Sequence, residues 1–317
     1  MSLLSGARRR RAAALYREAA RLARYGAHDR ALAAYNRVIE LAPGHAEAYY
    51  LRGFELSHFG SHAQALADFD QVIALMPGQT DAIYQRGFQL SRLGRHTEAL
   101  ADVDEFLRMA PGNTTALTLR GAELVNLHRE EEALEAFDEI LAQEPGDAMA
   151  HYNRAMTLTL LDRRQEAIAA LGQAVACAPD EVFFRIRKGI ALVGVGDLES
   201  ALTELDAACR LQPKAAGEAE AWAAAILWHR GDDRGARERF GRVKGRVTKN
   251  PAFDAAELEA IARCGLGDPG GAERELRDAK SRQGPVHQDR LAPLYDLLSA
   301  PPLAGVDQLR VIAAADR

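Results

Sequence analysis

At 317 residues, 48% hydrophobic and 27% charged, the chain is long enough to bury a large core and has the composition of an ordinary soluble protein. A net charge of −5 gives no bulk electrostatic case for nucleic acid. The three cysteines, Cys177, Cys209 and Cys264, are odd in number and form no CxxC pair, which argues against a disulfide framework or a structural zinc site and for small packing residues in helices.

The N-terminal stretch 1–11, MSLLSGARRRR, is basic and lacks the apolar core of a secretory signal. No apolar run is long enough to span a membrane, so a reduced, cytoplasmic protein is expected. From residue 12 onward one period dominates. Pro43, Pro77, Pro111, Pro145, Pro179 and Pro213 stand 34 residues apart, and the first four are followed by Gly. Proline cannot continue a helix, so each marks a stop and a turn. Ala31, Ala65, Ala99, Ala133, Ala167 and Ala201 keep the same step, as do Gly53, Gly87, Gly121, Ala155 and Gly189. Small residues suit close helix crossings. A turn column reads Gly26, Gly60, Gly94, His128, Asp162 and Gly196. Between the columns, apolar residues such as Ala65, Leu66, Phe69, Val72 and Ile73 recur at helical steps. Each unit therefore reads as helix, turn, helix, and one such pair cannot bury its own apolar face without stacking on the next.

These columns resemble the tetratricopeptide repeat family. The resemblance covers residues 12–215 as six regular units and continues less regularly through 216–286. There Gly231, Ala236, Phe240 and Val243 fit a seventh unit, and Gly267, Ala272, Leu276 and Ala279 an eighth. Residues 287–317 lie outside the repeat; Leu291, Leu294, Leu297 and Leu298 suggest a capping helix, and Val306, Leu309 and Ile312 one more. The resemblance implies an all-α, right-handed superhelical solenoid of about eight antiparallel helix-turn-helix units with C-terminal capping helices.

Motifs for catalysis are missing. There is no GxxxxGK[ST], GxSxG or HExxH. Gly265-Leu266-Gly267 follows no strand, and His58 and His62 flank a turn glycine, so both read as loop surface. No metal, cofactor or catalytic residue is expected. A basic column, Arg52, Arg86, Arg120, Arg154 and Lys188, runs beside an acidic one, Asp70, Asp104, Asp138, Gly172 and Asp206, with Asp70, Asp104 and Asp138 each 16 residues before an arginine. Lysine replaces arginine where the acid is missing. Fork-shaped pairing between adjacent units explains that swap better than a basic ligand ladder does.

In the family the first helix of each unit lines the concave face. That placement implies an inward stripe of Tyr16; Tyr50, Phe54 and Ser57; Tyr84, Phe88 and Ser91; Thr118, Ala122 and Val125; Tyr152, Met156 and Thr159; and Ile186, Ile190 and Val193. The groove set expected to matter most is Tyr16, Tyr50, Phe54, Tyr84, Phe88, Tyr152, Met156 and Ile186, with Tyr50, Phe54, Tyr84 and Phe88 side by side. Relatives that grip acidic chaperone tails place Lys, Arg and Asn on this face, and the sugar transferases of the family an asparagine ladder. The stripe here is mostly aromatic and aliphatic, with Asn153 a lone asparagine, so the implied partner is an apolar or amphipathic peptide or helix.

Charge is uneven. Residues 46–147 hold 7 Arg against 18 Asp and Glu, residues 1–30 hold 8 Arg against 2 acids, and residues 230–249 hold 8 basic residues against 3 acids. An acidic middle would favour a partner with basic flanks. The readings that follow are a non-enzymatic adaptor, a self-assembling scaffold forming homo-oligomers, or a regulatory subunit of an enzyme complex.

Overall fold

The computed structural model describes residues 2–213, 216–243, 253–274, 277, 292–299, 303 and 306–307. Among them every regular element is a helix. The chain falls into two compact units, Met1–Pro145 and Gly146–Arg317.

The first unit holds four helix pairs: α1 (Ser2–Arg24) with α2 (His28–Leu41), α3 (Ala46–His58) with α4 (His62–Leu75), α5 (Thr80–Arg92) with α6 (His96–Met109), and α7 (Thr114–Asn126) with α8 (Glu130–Gln143). Each pair packs against itself, and the second helix of one pair packs on the first helix of the next. The periodic residues build this contact. In α4 the buried face is Ala65, Leu66, Phe69 and Val72, and the Phe69 ring lies where a Cβ on Gly53 would come within 2.9 Å. At Gly121 the same approach is tighter: a Cβ would meet the Phe137 ring at 2.5 Å. This column is small because the facing helix carries a side chain directly opposite: a ring at Gly53 and Gly121, Asp102 and Val103 at Gly87, and Leu205 at Gly189.

The turns inside the pairs take a left-handed residue. Gly26, Gly60 and Gly94 have φ of 73°, 72° and 73°. His128 and Asp162 adopt φ of 55° and 57° at the corresponding places, where L residues are strained. Helix ends before each proline close on the backbone; Met76 N–H, for example, donates to the Val72 carbonyl.

The second unit begins with α9 (Ala148–Leu160), α10 (Arg164–Cys177), α11 (Val182–Gly194) and α12 (Leu198–Leu211). Then come α13 (Gly217–His229), α14 (Asp233–Val243), α15 (Phe253–Gly265), a helical segment at 269–274 and the helix Ala292–Leu298. Its core gathers around α13. Every residue from Ala219 to Ile226 is buried, Trp222 completely. A helix that is apolar nearly all round must be enclosed, and the alanines let α11, α12, α14, α15 and Ala292–Leu298 approach it. Leu294, Leu297 and Leu298 are buried in this core, as are Ala236, Phe240, Val243, Ala272 and Val306. Leu276, Ala279, Leu291, Leu309 and Ile312 lie outside the described residues. A buried hydrogen bond from the Tyr295 hydroxyl to Glu257, at 2.5 Å, joins the C-terminal helix to α15.

Candidate peptide-binding surface

The arginine column sits in the first helices and is gripped from both sides. Arg52 donates through Nε and Nη2 to both carboxylate oxygens of Asp68, at 2.8 and 2.5 Å, and through Nη1 to Asn36 at 2.7 Å. Arg86 repeats the arrangement, holding Asp102 at 2.7 Å through both donors and Asp70 at 3.1 Å. Arg120 donates to Asp104 at 2.8 Å. The acid 16 residues before each arginine is thus present for Arg86 and Arg120, but the two-pronged partners of Arg52 and Arg86 are the buried acids 16 residues after. Position 136 is alanine, so Arg120 has no such second acid. Lys188 follows the same logic: with Gly172 before it, its ammonium reaches Glu204 after it, at 2.7 Å. Asp206 pairs with Arg239 at 2.6 Å. Asp138 and Arg154 fall in different units.

A second ladder escaped sequence reading. The histidine that opens the second helix of three pairs contacts the first helix of the next pair, 27 residues on. His28 lies 2.7 Å from Glu55, His62 2.9 Å from Gln89 and His96 2.8 Å from Glu123. Ser91 also donates to Glu123, at 2.6 Å. Gln89 and Glu123 are fully buried; the bonds occupy Gln89 Oε1 and, with Ser91, both oxygens of Glu123, while Gln89 Nε2 is left without a partner among the described residues. The signal was available as a His column at 28, 62 and 96, but its partners differ in type. His62 being engaged this way, and the His58 ring stacking on His28 at 4.9 Å, the two histidines do not converge. Among the described residues no cluster of three or more His, Cys, Asp or Glu could hold a metal.

On the expected groove face, Phe54 is 39% exposed, and Tyr16, Tyr50, Tyr84, Phe88, Tyr152 and Met156 are half-buried. The Tyr50 and Phe54 rings meet edge-on at 5.0 Å, and both rest edge-on against Phe69, at 5.8 and 6.0 Å. Tyr84 leans on Phe106 at 5.2 Å. These contacts run within a pair, and among the described residues the Phe88 ring meets no other ring. Burial raises the phenol pKa of Tyr16, Tyr50 and Tyr84, keeping them neutral donors. Ile186 is 6% exposed and, with Val193, belongs to the core around α13. Its place in the groove set is corrected on that ground: α11 packs on α12 and α13, and Ile186 fills that contact. In the second unit the exposed rings and thioethers are instead Phe183 and Met149. Phe183 stands 4.9 Å from Tyr152 and under the Arg187 guanidinium at 5.2 Å. Both were missed because earlier units carry acids in their column, Glu47 and Asp81.

A cleft of about 280 Å³ in the first unit is lined by Asp70, Arg86, Asp102, Arg95, Glu98 and Leu66. Its ionic side chains already pair with one another. No described helix is long and apolar enough to cross a membrane.

Comparison with known proteins agrees with this architecture. Residues 22–80 and 118–182 match the tetratricopeptide repeat family. No curated protein matches the chain. Among solved structures, YrrB, described as a TPR protein with an unusual peptide-binding site, is 27% identical with a TM-score of 0.50 over 54% of this chain and 88% of its own. A tetratricopeptide repeat protein from Parabacteroides merdae is 16% identical with a TM-score of 0.60 over 80% of this chain and 98% of its own. MamA from Desulfovibrio magneticus RS-1, residues 41 to its end, is 23% identical with a TM-score of 0.50 over 53% and 95%. The repeat columns, the stacked helix pairs and the family match together identify the segments 22–80 and 118–182 as tetratricopeptide repeats.

Proposed function

We propose that this chain is a non-enzymatic, cytoplasmic adaptor or scaffold that binds an apolar or amphipathic peptide or helix with basic flanks along the first helices of its repeats. The tetratricopeptide fold serves protein–protein interaction. The observation that carries the finer reading is Phe54. It stays 39% exposed while Phe69, against which it rests, is fully buried, which leaves part of its ring available. Large rigid rings bury area at low entropic cost, and a few such anchors dominate an interface. The likeness to YrrB, whose description names a peptide-binding site, supports the same reading.

The test is the double variant Phe54→Ala with Phe88→Ala, screened against a displayed peptide library beside the parent chain. Loss of the parent's selected peptides with an unchanged melt is expected. Unfolding like a core variant would make the rings packing residues, and full retention of binding would move the surface elsewhere, to the basic stretch 234–249 first.

A further inference from the structure

The solvent side of α1 is a row of arginines. At about 100° and 1.5 Å per residue, Arg10, Arg17, Arg21 and Arg24 fall within about 60° of arc and along about 21 Å of helix. All four are exposed, as are the small residues between them, Ala13 and Ala14. The buried Ala12 and Ala19 lie on the opposite side, in the core shared with α2. Among the described residues none of the four arginines meets a carboxylate. Glu18, the one acid of α1, stands on the flank of the row.

A straight basic row on a helix fits an anion of matching shape. The row carries no large apolar side chain to enter a bilayer. Residues 46–147, with 7 Arg against 18 acids, repel an extended anionic surface or duplex. A single acidic helix avoids both objections, and α8 is one. Glu131, Glu135 and Asp138 stand at i, i+4 and i+7 on one exposed face, and the exposed Ala142 follows at i+11. Within one copy six helices separate α1 from α8. We propose that these two faces are the halves of a self-association surface, the arginine row of one copy seating antiparallel on the acidic row of a second copy. The register closes over three turns: Arg24 meets Glu131, Arg21 meets Glu135, Arg17 meets Asp138, and Ala13 meets Ala142, where two small residues let the axes approach to about 8 Å. The dipoles agree, since the last turn of α1 holds Arg21 and Arg24 and the first turn of α8 holds Glu130, Glu131 and Glu132. No residue of the expected groove set takes part, so this contact stands apart from the groove reading.

The test is charge exchange, followed by sedimentation velocity over a concentration series at low and high salt, with melting recorded for each protein. The full-length proteins are the parent, Arg21→Glu with Arg24→Glu, Glu131→Lys with Glu135→Lys, the chain carrying all of these changes, and Ala142→Gln. The parent should associate as concentration rises, and less at high salt. Each pair of exchanges should raise the association midpoint by at least about tenfold. An equimolar mixture of the two exchanged proteins should associate again, and so should the chain that carries both. Ala142→Gln, which leaves every charge and the first turn of α8 in place, should weaken association by wedging the helices apart. A parent that stays monomeric at low salt overturns the proposal. If that monomer is retained on phosphatidylserine vesicles or a DNA duplex through Arg21 and Arg24, the row serves a polyanion instead. Association that neither exchange moves, or that the mixture of folded variants does not restore, overturns the α1–α8 pairing as well.

Discussion

Arg86 holds Asp102 by two parallel hydrogen bonds of 2.7 Å across the two helices of one repeat, while its remaining arm reaches Asp70 in the repeat before. Asp102 is 6% exposed, so the arginine is its charge compensation. That fork raises the Arg86 pKa, chiefly through the Asp102 hydrogen bonds, and the guanidinium stays charged at any ordinary pH.

The first prediction contrasts two rungs. Arg86→Ala strands a buried carboxylate and should cost about 2–3 kcal/mol, the figure for breaking a buried pair lowered for the partly exposed arginine. Arg120→Ala breaks a pair whose acid, Asp104, is 48% exposed, and should cost under about 1 kcal/mol. Arg120→Lys should be near neutral and Arg86→Lys should not, because an ammonium cannot reproduce the fork. Urea midpoints decide it; equal losses at the two rungs would contradict the two-sided ladder.

How the ladder reads in the sequence is instructive. Its 16-residue step was legible from Asp70, Asp104 and Asp138, because that column is nearly unbroken. Its stronger half was not: Asp68 and Asp102 are followed by Ala136 and Ala170, and two acids inside an apolar face look like interruptions of the core. The pair architecture was legible because each Pro, Gly and Ala column answers a steric demand that every repeat makes. The core of the second unit was not, since α13 is apolar nearly all round and shows no apolar stripe to orient it. Of the residues expected on the groove face, Ile186 was misjudged because its burial by α13 depends on contacts far along the chain.

The second prediction separates groove from core within one repeat. Phe69 is fully buried against Gly53, and Phe69→Ala should cost about 3–5 kcal/mol. Phe54→Ala should cost about 1 kcal/mol or less, as surface substitutions do. Chemical denaturation of both variants checks this, and a Phe54 loss as large as that of Phe69 would place its ring in the core.

The third prediction concerns backbone strain. His128 sits at φ 55° where every other turn of the column but that of Asp162 uses glycine. Its side chain is 91% exposed, with only a 3.6 Å approach to Glu130. His128→Gly should therefore stabilise by about 1 kcal/mol, the left-handed penalty it removes. Asp162→Gly should gain less, because aspartate tolerates that conformation better and Asp162 also pairs with Arg164 at 2.6 Å. A fall in melting temperature for His128→Gly would refute the strain argument.

The last prediction is an alkaline limit set by the second unit. Burial, the leading cause, pushes the Cys209 thiol from 9.0 to about 12, with Glu220 adding to it, and the Cys264 thiol to about 11. In the unfolded chain both thiols release their protons near 9; in the folded chain they keep them. Between those values the folded state binds more protons, so stability is whole below about pH 9 and falls as pH rises. Tyr35, raised from 10.0 to about 12 chiefly by burial, adds to the loss above 10. The expected result is a urea midpoint that is level from pH 7 to 8.5 and declines by pH 10.5. The decline should be shallower in Cys209→Ala and Cys264→Ala, each compared with its own value at pH 8. Thiol labelling gives an independent readout: Cys177 is exposed, Cys209 half-buried and Cys264 buried, so at pH 8 a disulfide reagent should modify Cys177 first, Cys209 more slowly and Cys264 only as the chain unfolds. A midpoint that rises with pH, or Cys209 and Cys264 reacting as fast as Cys177 in the folded chain, would show that their burial does not hold the protons.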